Sequence, residues 1–128
     1  MIEIAARKGT SIAEEMAFQL VQAAVLLDGA RGEEGFALEA LAAAMNRNLE
    51  TWVAMRSIIK RDDCVLSDPV KDNLERLARF VAERTFAIGE NGENGRGADL
   101  IENGAIDTLI NINLQISEGL LEGDRKEP

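Results

Sequence analysis

The chain is predicted to be all-α: a compact bundle of four main helices with a long Gly-rich loop before the last one. Three observations predict it. Apolar residues recur at steps of three and four through most of the sequence, which is the period of a helix with one buried face. Helix start and stop signals divide the chain into four such stretches. No segment pair shows the sustained alternation and β-branched enrichment that a sheet would need.

The first helix begins at Ser11-Ile12-Ala13-Glu14, a capping box in which the Ser hydroxyl meets the third helical amide and the Glu side chain reaches back. Ile12, Met16, Leu20, Ala23, Ala24 and Leu27 form its stripe, and Phe18, Val21 and Val25 widen it before Asp28-Gly29 and Gly32 end it. So wide a face predicts burial between several neighbours. From Glu34 to Lys60, Leu38, Leu41, Met45, Leu49, Trp52, Met55 and Ile59 mark one long second helix. Residues 61–66 are a connector too polar and short to hold a further element. Asp68-Pro69 opens the third helix, with Asp68 as cap and Pro69 at the first helical position, where its missing amide costs nothing. Val70, Leu74, Leu77, Val81 and Ile88 form the third stripe, with Phe80 beside it, and Gly89 ends it.

Between Gly89 and Gly104 the tripeptide Glu-Asn-Gly occurs three times, predicting a mobile loop over 89–105. Its glycines do not make a phosphate loop, since no strand precedes them and no Gly-Lys-Ser or Gly-Lys-Thr closes them. The fourth helix carries Ile106, Leu109, Ile110, Leu114, Ile116, Leu120 and Leu121 on one broad face, with Asn113 and Ser117 at its centre. Those two polar residues are expected to be buried and bonded to something specific, in a neighbouring helix or in a bound peptide. Residues 110–117 also alternate strictly between apolar and polar, as a half-buried strand would, but no partner strand exists in the sequence. The ends, residues 1–10 and 122–128, are expected to be flexible.

Composition narrows function mostly by exclusion. At 128 residues the chain is expected to be one domain, residues 1–128, burying about two-thirds of its unfolded surface. With no His and only Cys64, His-based triads and metal sites and paired-Cys zinc motifs are absent, and no pair of carboxylates is forced into one pocket. No catalytic residue, cofactor or metal is therefore expected. A net charge of −9 argues against nucleic acid as the main ligand. The one basic concentration is Arg56, Lys60 and Arg61, joined by Arg47. An RNA-binding reading needs that strip to continue onto the third helix through Lys71, Arg76 and Arg79. No run approaches the roughly 20 apolar residues of a membrane span, and Met1 to Lys8 lacks the apolar stretch of a secretory signal. A cytoplasmic location with no membrane partner is expected. What remains is surface shape, namely grooves between amphipathic helices.

Certain residues carry a resemblance. Asn48 and Trp52 lie four apart, Leu66 precedes the third helix, Phe80-Val81 is followed by Arg84-Thr85, and Leu109-Ile110-Asn111-Ile112-Asn113 runs to Gly119-Leu120. Together these resemble the FlaF family of flagellar biosynthesis regulators, from the first helix to Leu120. The chain resembles a divergent member, with Thr51 before Trp52, Ser67 after Leu66 and Arg84 before Thr85 where the family usually differs. The resemblance implies a non-enzymatic regulator that binds flagellin much as a secretion chaperone would, with the FlbT regulator as a companion. Direct binding of flagellin mRNA is the alternative, and a purely structural helical adaptor a third reading.

Asn48, Trp52, Phe80, Asn113 and Ser117 are the candidate partner-binding residues, each with a second reading. Trp52 is either core or an anchor at a groove rim, where Trp is enriched among binding hot spots. Asn113 and Ser117 form either an internal hydrogen-bond network or a peptide-facing pair. Phe18, Phe36, Phe80 and Phe86 are expected in the core, with one or two exposed beside Trp52 if a groove exists.

Overall fold

The computed structural model describes residues 11–32, 38–64, 66–93 and 104–126. They form four helices, α1 (Ile12–Gly32), α2 (Leu38–Ile59), α3 (Asp68–Glu93) and α4 (Ala105–Lys126), and no strand occurs among the described residues. The alternating stretch 110–117 lies wholly within α4. Its polar positions at 111 and 115 turn outward while Asn113 and Ser117 turn inward, as a 3.6-residue period requires and a two-residue period forbids.

The starts of the helices follow local chemistry. The capping box of α1 is formed: the Glu14 amide donates to Ser11 Oγ at 3.0 Å, and the Ser11 amide donates to Glu14 Oε1 at 3.4 Å. At α3 the cap is Ser67 and not Asp68. The Lys71 amide donates to the Ser67 carbonyl at 2.9 Å, the first bond of the helix, and the Val70 amide reaches Ser67 Oγ at 3.4 Å. Asp68 is thereby the first helical residue and Pro69 the second, still within the turn whose amides have no intrahelical partner. Gly104 opens α4 at φ 70°, and its carbonyl accepts from the Thr108 amide at 3.0 Å. A left-handed backbone at that point is open to Gly without the clash that a Cβ would bring.

The ends of α3 and α4 run further than the glycines predict. α1 passes Gly29 and ends at Gly32, the second of its expected stops, whereas α3 runs through Gly89 to Glu93 and α4 through Gly123 to Lys126. A glycine inside a helix costs about 1 kcal/mol relative to Ala, less than the packing of a long amphipathic face supplies. The expected loop over 89–105 therefore loses its first five residues to α3, and Ala105 begins α4. The expected flexible tail from 122 is helical as far as Lys126. Residues 94–103, 1–10 and 127–128, the other parts of those expectations, lie outside the described residues, as do Phe36 and the expected first turn of α2.

Packing follows the order α4, α1, α2, α3 around the bundle. The largest contact is α1 against α4, followed by α1 with α2 and α2 with α3, whereas α3 and α4 touch only slightly. α1 therefore has two neighbours, as its wide apolar face predicted. One core cluster links all four helices, with Leu20, Leu27, Trp52, Met55, Val81 and Leu109 among its most buried members, and it is rich in Ala. Several residues expected in the stripes lie outside. Phe18 and Val25 sit on the side of α1 opposite Leu20, and Phe86 on the side of α3 opposite Val81. Leu114 is 42% exposed because it falls at the margin of the α4 stripe, about 100° from Asn113.

Candidate functional site

Four of the five candidate residues lie in the interior, and three of those form one hydrogen-bonded unit. Trp52 Nε1–H donates to Asn113 Oδ1 at 3.0 Å. Asn113 Nδ2 donates to the Leu20 carbonyl at 3.0 Å and to Asn48 Oδ1 at 2.7 Å. Asn48 and Asn113 are 0% exposed and Trp52 is 1% exposed. One amide thus ties α4 to the backbone of α1 and to two side chains one turn apart on α2. The chemistry fixes how Asn113 points, because an indole N–H can only donate and a carbonyl can only accept. Asn48 must then offer its oxygen to Asn113. This leaves Asn48 Nδ2 buried without a partner among the described residues, a penalty of about 1–3 kcal/mol that the other three bonds offset.

Ser117 is buried but takes no part in the network. Its hydroxyl donates to the Leu114 carbonyl at 2.8 Å, within its own helix. Thr51 and Thr85 do likewise, to the carbonyls of Arg47 and Val81 at 2.9 and 2.7 Å. Small hydroxyls can be buried in a helix at little cost in this way. Phe80, the fifth candidate, is half-buried on α3, with the Arg84 guanidinium 5.3 Å from its ring centre. The exposed phenylalanines, Phe18 and Phe86, are on other elements and do not flank Trp52, which has no surface to share.

The surface feature that no local sequence signal announced is a groove of about 600 Å3 where the seam between α3 and α4 fails to close. Its sides come from every helix. The cap and first two turns of α1 give Ser11, Ile12 and Met16; the end of α2 and its connector give Ile58, Cys64 and Leu66. The start of α3 gives Val70, Asn73 and Leu74, and α4 gives Ile116, Gly119, Leu120 and Gly123. The lining is mainly apolar. Its charged members, Arg61 and Asp63, bond each other at 2.8 and 2.6 Å, and those bonds hold the Asp63 carboxyl below the usual carboxylate range. Val70 is 39% exposed at the mouth. Met16 and Leu74 belong to the stripes expected of α1 and α3, whereas Ile58 lies beside the stripe expected of α2. Only the pair Gly119 and Gly123, four apart on one face of a helix, could have marked this wall.

The basic strip is interrupted. Arg47 is half-buried and donates through Nη2 to Gln19 Oε1 at 3.0 Å, with its Nε buried and unpartnered among the described residues. Arg56 pairs with Glu75 at 2.7 Å, and Arg61 with Asp63. Among the described residues no group of His, Cys, Asp and Glu is arranged to hold a metal ion, and no helix is long and apolar enough to cross a membrane.

The network, and all of the groove lining named above except Gly123, lie within a stretch that a family model matches. Residues 5–120 match the family model described as Flagellar protein FlaF, a span that includes parts of all four helices. Neither the curated proteins nor the solved structures gave a match. On the strength of a family match covering nearly the whole chain, the protein belongs to the FlaF family of flagellar proteins.

Proposed function

We propose that the chain regulates flagellin synthesis and flagellum assembly by binding flagellin in the cytoplasm, as an export chaperone or adaptor. The role is one of binding, without catalysis or a cofactor. The observation that carries this reading is the uncovered apolar groove between α3 and α4 in a protein of a flagellar family. Unassembled flagellin presents amphipathic segments that aggregate or polymerise early when left uncovered, and a helical protein with an open groove can cover one of them. An acidic body keeps such a complex soluble and discourages wrong contacts. FlbT is the second expected partner, linking the bound state to flagellin translation.

Direct binding of flagellin mRNA is the reading this one displaces. It needs one continuous positive face, whereas Arg47, Arg56 and Arg61 are each engaged by a neighbouring side chain. A titration of the purified protein with flagellin from the same organism, with the flagellin mRNA leader as parallel ligand at physiological salt, separates the two. Saturable binding to flagellin at micromolar concentration or below is expected. Binding to the RNA alone overturns the proposal.

A further inference from the structure

Resting on the flagellin-binding reading and going one step past it, we infer that the groove takes one amphipathic helix of flagellin, an apolar stripe flanked by Lys and Arg, which crosses α4 over Gly119 and Gly123. The glycines argue for close approach. Both line the groove, neither has the positive φ that Gly104 has, and a Cβ added at either would meet nothing within 4 Å. The fold of this chain therefore asks for glycine at neither position, although glycine weakens a helix interior. What the missing side chains provide is room for another backbone to lie against α4.

The lining argues for an apolar stripe. Met16, Ile58, Leu74 and Leu120 form the floor, with Ile116 and Val70 nearer the opening, so the entering face must be aliphatic to leave no polar group unpaired. Charge decides the flanks. The body that carries the slot has a net charge of −9. Among the described residues the one arginine in the lining, Arg61, is already held by Asp63. An acidic body around an apolar slot favours a helix whose polar edge is cationic. A second copy of this chain, with its net charge of −9, would instead bring like charges edge to edge.

The test uses flagellin from the same organism and two synthetic helical peptides with the same Leu and Ala stripe, one flanked by Lys and one by Glu. Each is titrated against the full-length protein, the double variant Gly119→Leu/Gly123→Leu, and Gly29→Leu, a change at an equally open position on the far end of α1. Flagellin is expected to bind the unmodified protein and Gly29→Leu equally and the double variant at least about tenfold more weakly, with helicity and Tm retained. The Lys-flanked peptide should bind more tightly than the Glu-flanked one and show the same loss. If the double variant loses its fold, Gly119→Ala/Gly123→Ala replaces it, since a methyl favours the helix and fills the same space; a several-fold loss is then expected. Undiminished flagellin binding by the glycine variants overturns the groove assignment while leaving flagellin binding intact. Failure of flagellin to bind the unmodified protein, with the Lys-flanked peptide docking in a glycine-dependent way, removes flagellin as occupant and supports the groove as a site for a basic amphipathic helix. A Glu-flanked peptide that binds as well as its Lys counterpart overturns the charge argument.

Discussion

Two flanks of α4 make opposite use of the same helix. Against α1 it is sealed: the packing there is extensive, and the central Asn113 amide bonds to the Leu20 carbonyl and reaches across to Trp52 and Asn48 of α2. Beside α3 it is open, with Ile116, Gly119, Leu120 and Gly123 facing a groove of about 600 Å3. The difference teaches where binding can reside in a small helical protein. A buried polar network specifies one arrangement of helices and leaves nothing to offer a partner. An unclosed seam holds apolar surface that water covers poorly and another helix covers well.

The sealed side should be costly to disturb. Asn113→Ala leaves the Trp52 indole N–H, Asn48 Oδ1 and the Leu20 carbonyl buried without their partner, and is expected to lower stability by about 3–5 kcal/mol in a denaturant unfolding curve. A change near zero would mean that water or a neighbour takes over the network. A matched pair of truncations sharpens the contrast between flanks. Leu109→Ala, at a fully buried site against α1, should cost about 2–5 kcal/mol, whereas Val70→Ala at the groove mouth should cost less than about 1 kcal/mol. Equal losses would show that the groove is closed in solution.

Gly119→Ala reverses the sign. Because an added methyl meets nothing, the variant should gain about 0.5–1 kcal/mol in thermal unfolding while binding flagellin less well. The smallest effect belongs to the Arg61 and Asp63 pair on the groove rim. The Asp63 carboxyl is held below its ordinary range by the Arg61 hydrogen bonds, so its contribution is present above the unfolded carboxylate pKa and lost as pH falls through the lower folded value. Asp63→Asn should therefore lower Tm slightly at neutral pH, and the difference should vanish in acid. An exposed pair is worth little, and a large drop at neutral pH would contradict its placement at the surface.

Much of the sealed side was legible in the sequence. The helical period at Leu41, Met45, Trp52 and Met55 gave the α2 stripe, the Ser11 capping box gave the start of α1, and Asn113 stood out as an amide in the middle of an apolar face. Of the two readings of Trp52 the geometry realises the core one, and Asn113 bonds internally, but to Trp52 and Asn48 and not in a network with Ser117, which is satisfied within its own helix. Helix ends were less legible, because a glycine costs a helix so little that Gly29, Gly89 and Gly123 were outweighed by tertiary packing. Ser67 and Asp68 are both good caps, and the bonds from the Lys71 amide to the Ser67 carbonyl and from the Val70 amide to Ser67 Oγ distinguish them. The groove was scarcely legible, with Gly119 and Gly123 on one helix face as its one sequence trace among the described residues. It arises from how far α3 stands from α4, a tertiary spacing that leaves no period in the sequence.

The most direct measurement is amide hydrogen exchange on the full chain, free and saturated with flagellin from the same organism. The account predicts that added protection concentrates in the segments lining the groove, residues 11–16, 58–74 and 116–123, while amides around Asn48, Trp52 and Asn113 are already slow in the free protein. Protection gained instead along Arg76 and Arg79, or fast exchange around Asn113 before flagellin is added, would contradict it.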